Sequence, residues 1–178
     1  MRIKVVRAVL LAIALLHGPP LHAESSRTFS SFRCSYTLPG ANWEWVDETR
    51  IPNGLFVARD DSGIVLMLLA GAAPPGAAVT NEFMVGVERG ILKGGVATIR
   101  AKRTIQFKSL ACQQLELDFS TLKKRAVARV FVANGFVYQL QLLGAEIPNE
   151  SSPELSKIMN GFEFLTKPGR SKTPEQAR

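Results

Sequence analysis

The sequence predicts one α+β domain: a mainly antiparallel sheet of about six to eight strands covered by two main helices. Three observations lead there. Short runs that alternate or are wholly apolar recur along the 178 residues, with turn-forming residues between them, which is the pattern of paired strands. Only two stretches space their apolar residues for a helix, and each carries its own capping signals. Strands and helices do not alternate and no internal repeat is present, which argues against a parallel βα fold.

The chain opens on a leader. Arg2, Lys4 and Arg7 are a positive segment, residues 8–16 are an unbroken apolar run of nine, and Gly18, Pro19 and Pro20 stop it before Leu21-His22-Ala23. This is the layout of a secretory signal peptide cut after Ala23, and such a run is too short to span a bilayer. The competing reading is an uncleaved anchoring helix. The expected organisation is a signal peptide over 1–23, one domain over 24–166 and a disordered basic tail over 167–178. It places the protein in the periplasm or outside the cell.

Residues 24–30 (ESSRTFS) read as a polar lead-in. Phe32, Cys34, Tyr36 and Leu38 then alternate with polar residues, a half-buried strand ended by Pro39-Gly40. Trp43 and Trp45 share a face if extended. Residues 54–59 and 63–70 are two further strands joined by Asp60-Asp61-Ser62-Gly63, a tight turn rather than a calcium loop. The second is apolar throughout, as suits a central strand covered on both faces.

After the Pro/Gly loop 71–78, a helix is predicted from about Thr80 to Lys93, with Phe83, Met84, Val87 and Ile91 on its apolar stripe and Gly94-Gly95 at its end. Gly86 and Gly90 are expected to let it lie close to a sheet. Residues 96–107 place Ile99, Ala101, Ile105 and Phe107 on one face. Residues 110–119 change phase near Gln113-Gln114, and a bulge there would turn Leu110, Cys112, Leu115, Leu117 and Phe119 all inward. Asn134-Gly135 is the strongest hairpin signal. A two-residue loop there pairs Ala133 with Phe136, Phe131 with Tyr138, Arg129 with Leu140 and Val127 with Leu142. A last helix is capped by Ser152, starts on Pro153 and carries Leu155, Ile158, Met159 and Phe162. Residues 163–165 close the domain as a short strand.

Absences restrict the chemistry. Both histidines, His17 and His22, lie in the leader. The remainder has no imidazole base, no Ser-His-Asp triad and no Cys-His pair. It has no GxSxG, GxGxxG or GxxxxGK[ST] segment. No catalytic residue, cofactor or metal is expected. Cys34 and Cys112 are the only thiols. In an oxidising compartment two cysteines usually pair, so a structural disulfide is the expectation, with two buried free thiols as the alternative.

The formal charge of +7 is concentrated at the ends. The leader contributes three bases and the tail a net three, leaving the folded part near +1. Total charge therefore gives no reason to expect nucleic acid. The expected partner-contact residues are Trp45, Lys102, Lys123, Lys124 and Arg125, with Arg100 and the 71–78 loop beside them. Strand neighbours would gather the bases on an outer sheet face; an ordinary solvated face balanced by Glu116 and Asp118 is the competing reading.

The order of landmarks resembles a known group. "YTLPGANW" (36–43) ends an early strand, "NGFVYQLQL" (134–142) comes late, and a Ser-Pro-capped helix leads to "GFEFL" (161–165). This is similar to the PsbP/DcrB-like α/β/α sandwiches over about residues 30–166. The resemblance implies no catalytic residue. It implies roles such as extrinsic subunits of membrane complexes, regulators of a small GTPase, secretion chaperones and periplasmic envelope proteins, and it places Trp43 beneath a helix. The cysteine pair is not one of its hallmarks.

The function expected is an exported, non-catalytic binding or assembly module of the bacterial cell envelope. Its partner is an unidentified envelope protein, peripheral contact with a membrane stays open, and the oligomeric state is not readable. A small-ligand or lipid carrier with a cavity between sheet and helix is the alternative. A carboxylate enzyme would have to use Asp60, Asp61, Glu116 and Asp118.

Overall fold

The computed structural model describes residues 25–46, 51, 53–93, 95–149 and 151–165. The leader and the basic tail lie outside them, as does Gly94 of the expected helix end.

The strands are β1 (Ser26–Phe29), β2 (Cys34–Thr37), β3 (Trp43–Val46), β4 (Gly54–Asp60), β5 (Val65–Ala72), β6 (Thr98–Phe107), β7 (Leu110–Phe119), β8 (Lys124–Ala133), β9 (Phe136–Gly144) and β10 (Phe162–Phe164). The helices are α1 (Asn81–Leu92) and α2 (Pro153–Asn160). Seven strands form the main sheet in the order β3-β4-β5-β9-β8-β7-β6, and β1-β2-β10 form a small second sheet. All pairings among these strands are antiparallel. The architecture is an α/β/α sandwich.

Local chemistry sets these elements. The Asp60 carboxylate accepts from the Ser62 N–H at 3.0 Å and the Ile64 N–H at 2.8 Å, so the Asp pair is turn chemistry. Every residue from Val65 to Ala70 is buried, as a strand between two neighbours and two covered faces requires. Asn134 and Gly135 have φ of 53° and 80°, and the β8–β9 register matches the four expected pairs. Thr80 caps α1 by accepting from the Phe83 N–H, and Ser152 caps α2 by accepting from the Leu155 N–H.

Three buried apolar clusters pack on the main sheet, the two largest on opposite sides of it. On one side the small sheet and α2 pack with Trp43, Trp45, Phe56, Phe107, Phe131 and Tyr138. On the other side Met84, Val87 and Ile91 of α1 pack against Leu115, Leu117, Phe119, Ala128 and Val130.

This double cover corrects the β7 expectation. Its pairing with β8 runs unbroken from Cys112 to Phe119. Cys112 faces the first core, while Leu115, Leu117 and Phe119 face the second. The phase change needs no bulge, because each end of the strand is buried on a different face. The register shift sits in β6 instead, between Ile99 and Ala101.

Three further corrections follow. The polar lead-in contains a strand: β1 pairs with β2 as an exposed edge, which needs few apolar residues. Gly86 is exposed and a Cβ there would meet nothing within 4 Å, so it does not bring α1 close to the sheet. Phe162 belongs to β10, beyond the end of α2.

Candidate functional site

Cys34 and Cys112 are wholly buried in one core and are free thiols. The expected disulfide is not made. Cys34 stands opposite Phe164 in the small sheet, and Cys112 opposite Phe131 in the main sheet. Those two rings meet edge to face at 6.0 Å between the layers. Aromatic packing occupies the junction, and each thiol serves as a small apolar filler beside it. Burial pushes both thiols up to about 12. At Cys112 the Arg129 guanidinium and the Val130 N–H pull the other way without offsetting it. Neither sulfur is a nucleophile in this setting.

The two tyrosines are also structural. The Tyr36 hydroxyl donates to the Ile158 carbonyl near the end of α2, and the Tyr138 hydroxyl donates to the Phe32 carbonyl. Burial raises both phenols above their ordinary range.

Trp45 is core, contrary to its expected role as a contact. It is 4 % exposed, packs edge-on against Phe56 at 5.2 Å, and is covered by the Arg27 guanidinium 4.7 Å from its ring centre. An exposed anchor would need β3 to turn its other face inward, and that face carries Glu44 and Val46.

The bases divide. Lys123, Lys124 and Arg125 line an open groove of about 720 Å³ at one end of the main sheet, where the 120–122 turn meets residues 145–147. Asp118 and Glu146 line it too, so the groove is charged but nearly balanced. Lys102 is elsewhere. It pairs across the sheet with Leu115 on the α1 side, whereas Arg125 pairs with Asp118 on the opposite face. Its ammonium is 3.1 Å from Glu88 of α1. The pairing therefore sets Lys102 and Arg125 on opposite faces of the sheet rather than gathering them on one.

The carboxylates that an enzyme reading would require do not assemble either. Asp60 is committed to the turn, and Glu116 is held by Arg103 at 2.9 Å. Among the described residues no group of three or more His, Cys, Asp or Glu could hold a metal. The 71–78 loop is pinned by the Ala73 N–H donating to the Gly135 carbonyl at 2.8 Å, which leaves an open groove of about 440 Å³ beside the β8–β9 turn.

Sequence reasoning missed a set of buried polar side chains. Gln139 and Gln141 are inward on β9, with the Gln139 amide donating to the Gln141 carbonyl oxygen at 2.9 Å. The Gln141 Nε2 has no hydrogen-bond partner. Arg129 lies over the Phe107 ring and donates to Gln114 at 3.0 Å; burial lowers its pKa. The polar alternation within "VYQLQLL" was the available signal for the glutamines.

The geometry can be compared with known structures. The solution structure of cyanobacterial PsbP from Synechocystis matches with a TM-score of 0.61, covering 84 % of this chain and 99 % of that one, at 13 % identity. The fold is that of PsbP. A crystal structure of a protein from Bacteroides thetaiotaomicron matches with a TM-score of 0.38, covering 76 % of this chain and 46 % of that one, at 9 % identity. No protein-family model and no curated protein matches the chain. At such identity the likeness to PsbP concerns the fold, and a fold hosts many functions.

Proposed function

We propose that the protein is an exported, non-catalytic binding or assembly module of the bacterial cell envelope, released into the periplasm by cleavage after Ala23. One observation carries the reading: both cysteines, both tyrosines, Asp60 and Glu116 are occupied in holding the fold. The thiols are buried fillers, the phenols are tied to backbone carbonyls, Asp60 serves a turn and Glu116 an ion pair. What remains at the surface is charge, which recognises partners and performs no bond-making by itself. The PsbP fold is compatible with this reading.

Crosslinking in intact cells, followed by mass spectrometry, tests it. Reproducible crosslinks from the exported chain to an envelope protein are expected. Retention in the cytoplasm, or turnover of a substrate that survives stringent purification, would overturn it.

The carrier reading has one observation in its favour, the buried Gln141 Nε2 that has no hydrogen-bond partner. Native mass spectra showing the bare polypeptide mass after gentle purification would remove it.

A further inference from the structure

The main sheet ends unequally. At one edge β3 has four residues; at the other β6 has ten. Natural sheets keep their free edges short, because a row of unpaired N–H and C=O groups is a template for another strand. On β6, Thr98, Gln106 and every residue from Arg100 to Thr104 are exposed, so no described residue covers the edge there.

The backbone groups that face outward can be assigned. Lys108 and Ser109 form a two-residue loop with φ of 51° and 64°, which makes Phe107 and Leu110 a hydrogen-bonded pair. Alternation along the unbroken register from Phe107 back to Ala101 then turns the N–H and C=O of Lys102, Thr104 and Gln106 away from β7.

The charge of the edge selects its occupant. β6 carries Arg100, Lys102 and Arg103 and no acid. Lys102 is held by Glu88 on one side of the sheet and Arg103 by Glu116 on the other, and both stay about half exposed (58 % and 49 %). Two copies of β6 paired with each other would oppose like charges, which is destabilising. A strand with acidic side chains would instead meet bases that stay half exposed along the edge.

We propose that the outer edge of β6, over Ala101–Phe107, takes an extended acidic segment of a partner protein as an added strand. Main-chain hydrogen bonds at positions 102, 104 and 106 supply affinity, and the bases supply selectivity. This deepens the binding-module reading and rests on it. Failure here with envelope crosslinks intact removes only the β6 assignment; loss of the crosslinks removes the module reading.

The test uses the full exported chain and two synthetic peptides, acetyl-Glu-Val-Glu-Thr-Glu-Val-Glu-amide and its counterpart with Lys in place of each Glu. The acidic peptide should bind saturably, weaken with salt, and protect the 102, 104 and 106 amides from hydrogen exchange. Thr104→Pro removes one outward N–H at an edge position that tolerates proline, and should weaken binding about tenfold. Thr104→Val loses the same hydroxyl contact to Gln113 but keeps the N–H, and should bind as the parent does. Should Thr104→Pro fail to fold, exchange protection in the parent decides alone. No binding, equal binding of both peptides, or protection elsewhere overturns the proposal. So does a dimer that forms through β6 and is lost in Thr104→Pro, which would assign the edge to a second copy.

Discussion

Cys34 and Cys112 make a prediction at the level of single residues that separates two views of the protein. Native, unreduced protein should not react with a thiol reagent, and the denatured chain should release two thiols, since both are buried and unbonded. Their titration adds a pH dependence. Each thiol is held neutral in the folded state up to about 12, whereas in the unfolded chain it ionises near the ordinary value of about 8.5. Between those values the unfolded state has lost protons that the folded state keeps, so stability falls as pH rises. The contribution is fully present below the lower value. Each thiol adds about 1.4 kcal/mol of loss per pH unit inside the window, and Cys34→Ala/Cys112→Ala should flatten the slope in chemical denaturation. Gly161 is as exacting. A Cβ there would stand 2.3 Å from the Thr37 carbonyl oxygen and 2.8 Å from the Tyr36 ring. Gly161→Ala should lower stability by about 2–3 kcal/mol in urea titration.

Among the elements, β9 carries a liability in its two inward glutamines. A buried amide without a partner costs about 1–3 kcal/mol, and replacing both members of a buried polar pair by apolar groups removes that cost. Gln139→Leu/Gln141→Leu should therefore melt at a higher temperature than the parent. Gln141→Leu alone should gain less, because it orphans the Gln139 donor. How far each element was legible follows from its surroundings. The β8–β9 register could be read because an Asn-Gly turn pins the strands and seven of its eight expected partners are apolar or aromatic. The caps of α1 and α2 could be read because Thr80 and Ser152 act on backbone within one turn. β7 could not, since its pattern mixes two faces that are buried against different layers. β1 escaped because an edge strand needs little apolar signal. The 123–125 bases were found together because they adjoin in sequence, while the separation of Lys102 from Arg125 is set by the pairing of β6, β7 and β8, which periodicity within one strand does not reveal.

For the molecule as a whole, the small sheet is the structural seam. Phe162 of β10 is wholly buried and contacts the rings of Phe131 at 5.1 Å and Tyr138 at 5.5 Å, while its neighbour Glu163 meets Lys108 of the β6–β7 turn at 2.6 Å. A chain ending at Gly161 should lose its cooperative melt by circular dichroism; one ending at Thr166 retains β10 and serves as the reference.

In the small sheet β2 lies between β1, a few residues away, and β10, from the far end of the domain. A polypeptide that emerges N-terminus first, from a ribosome or through a membrane pore, therefore cannot zip this sheet until almost all of it has appeared. Formation of such remote pairings is slow, because a long loop must close before any contact rewards it. The arrangement makes completion of the small sheet a late step, since β2 gains its second neighbour only from the strand farthest along the chain.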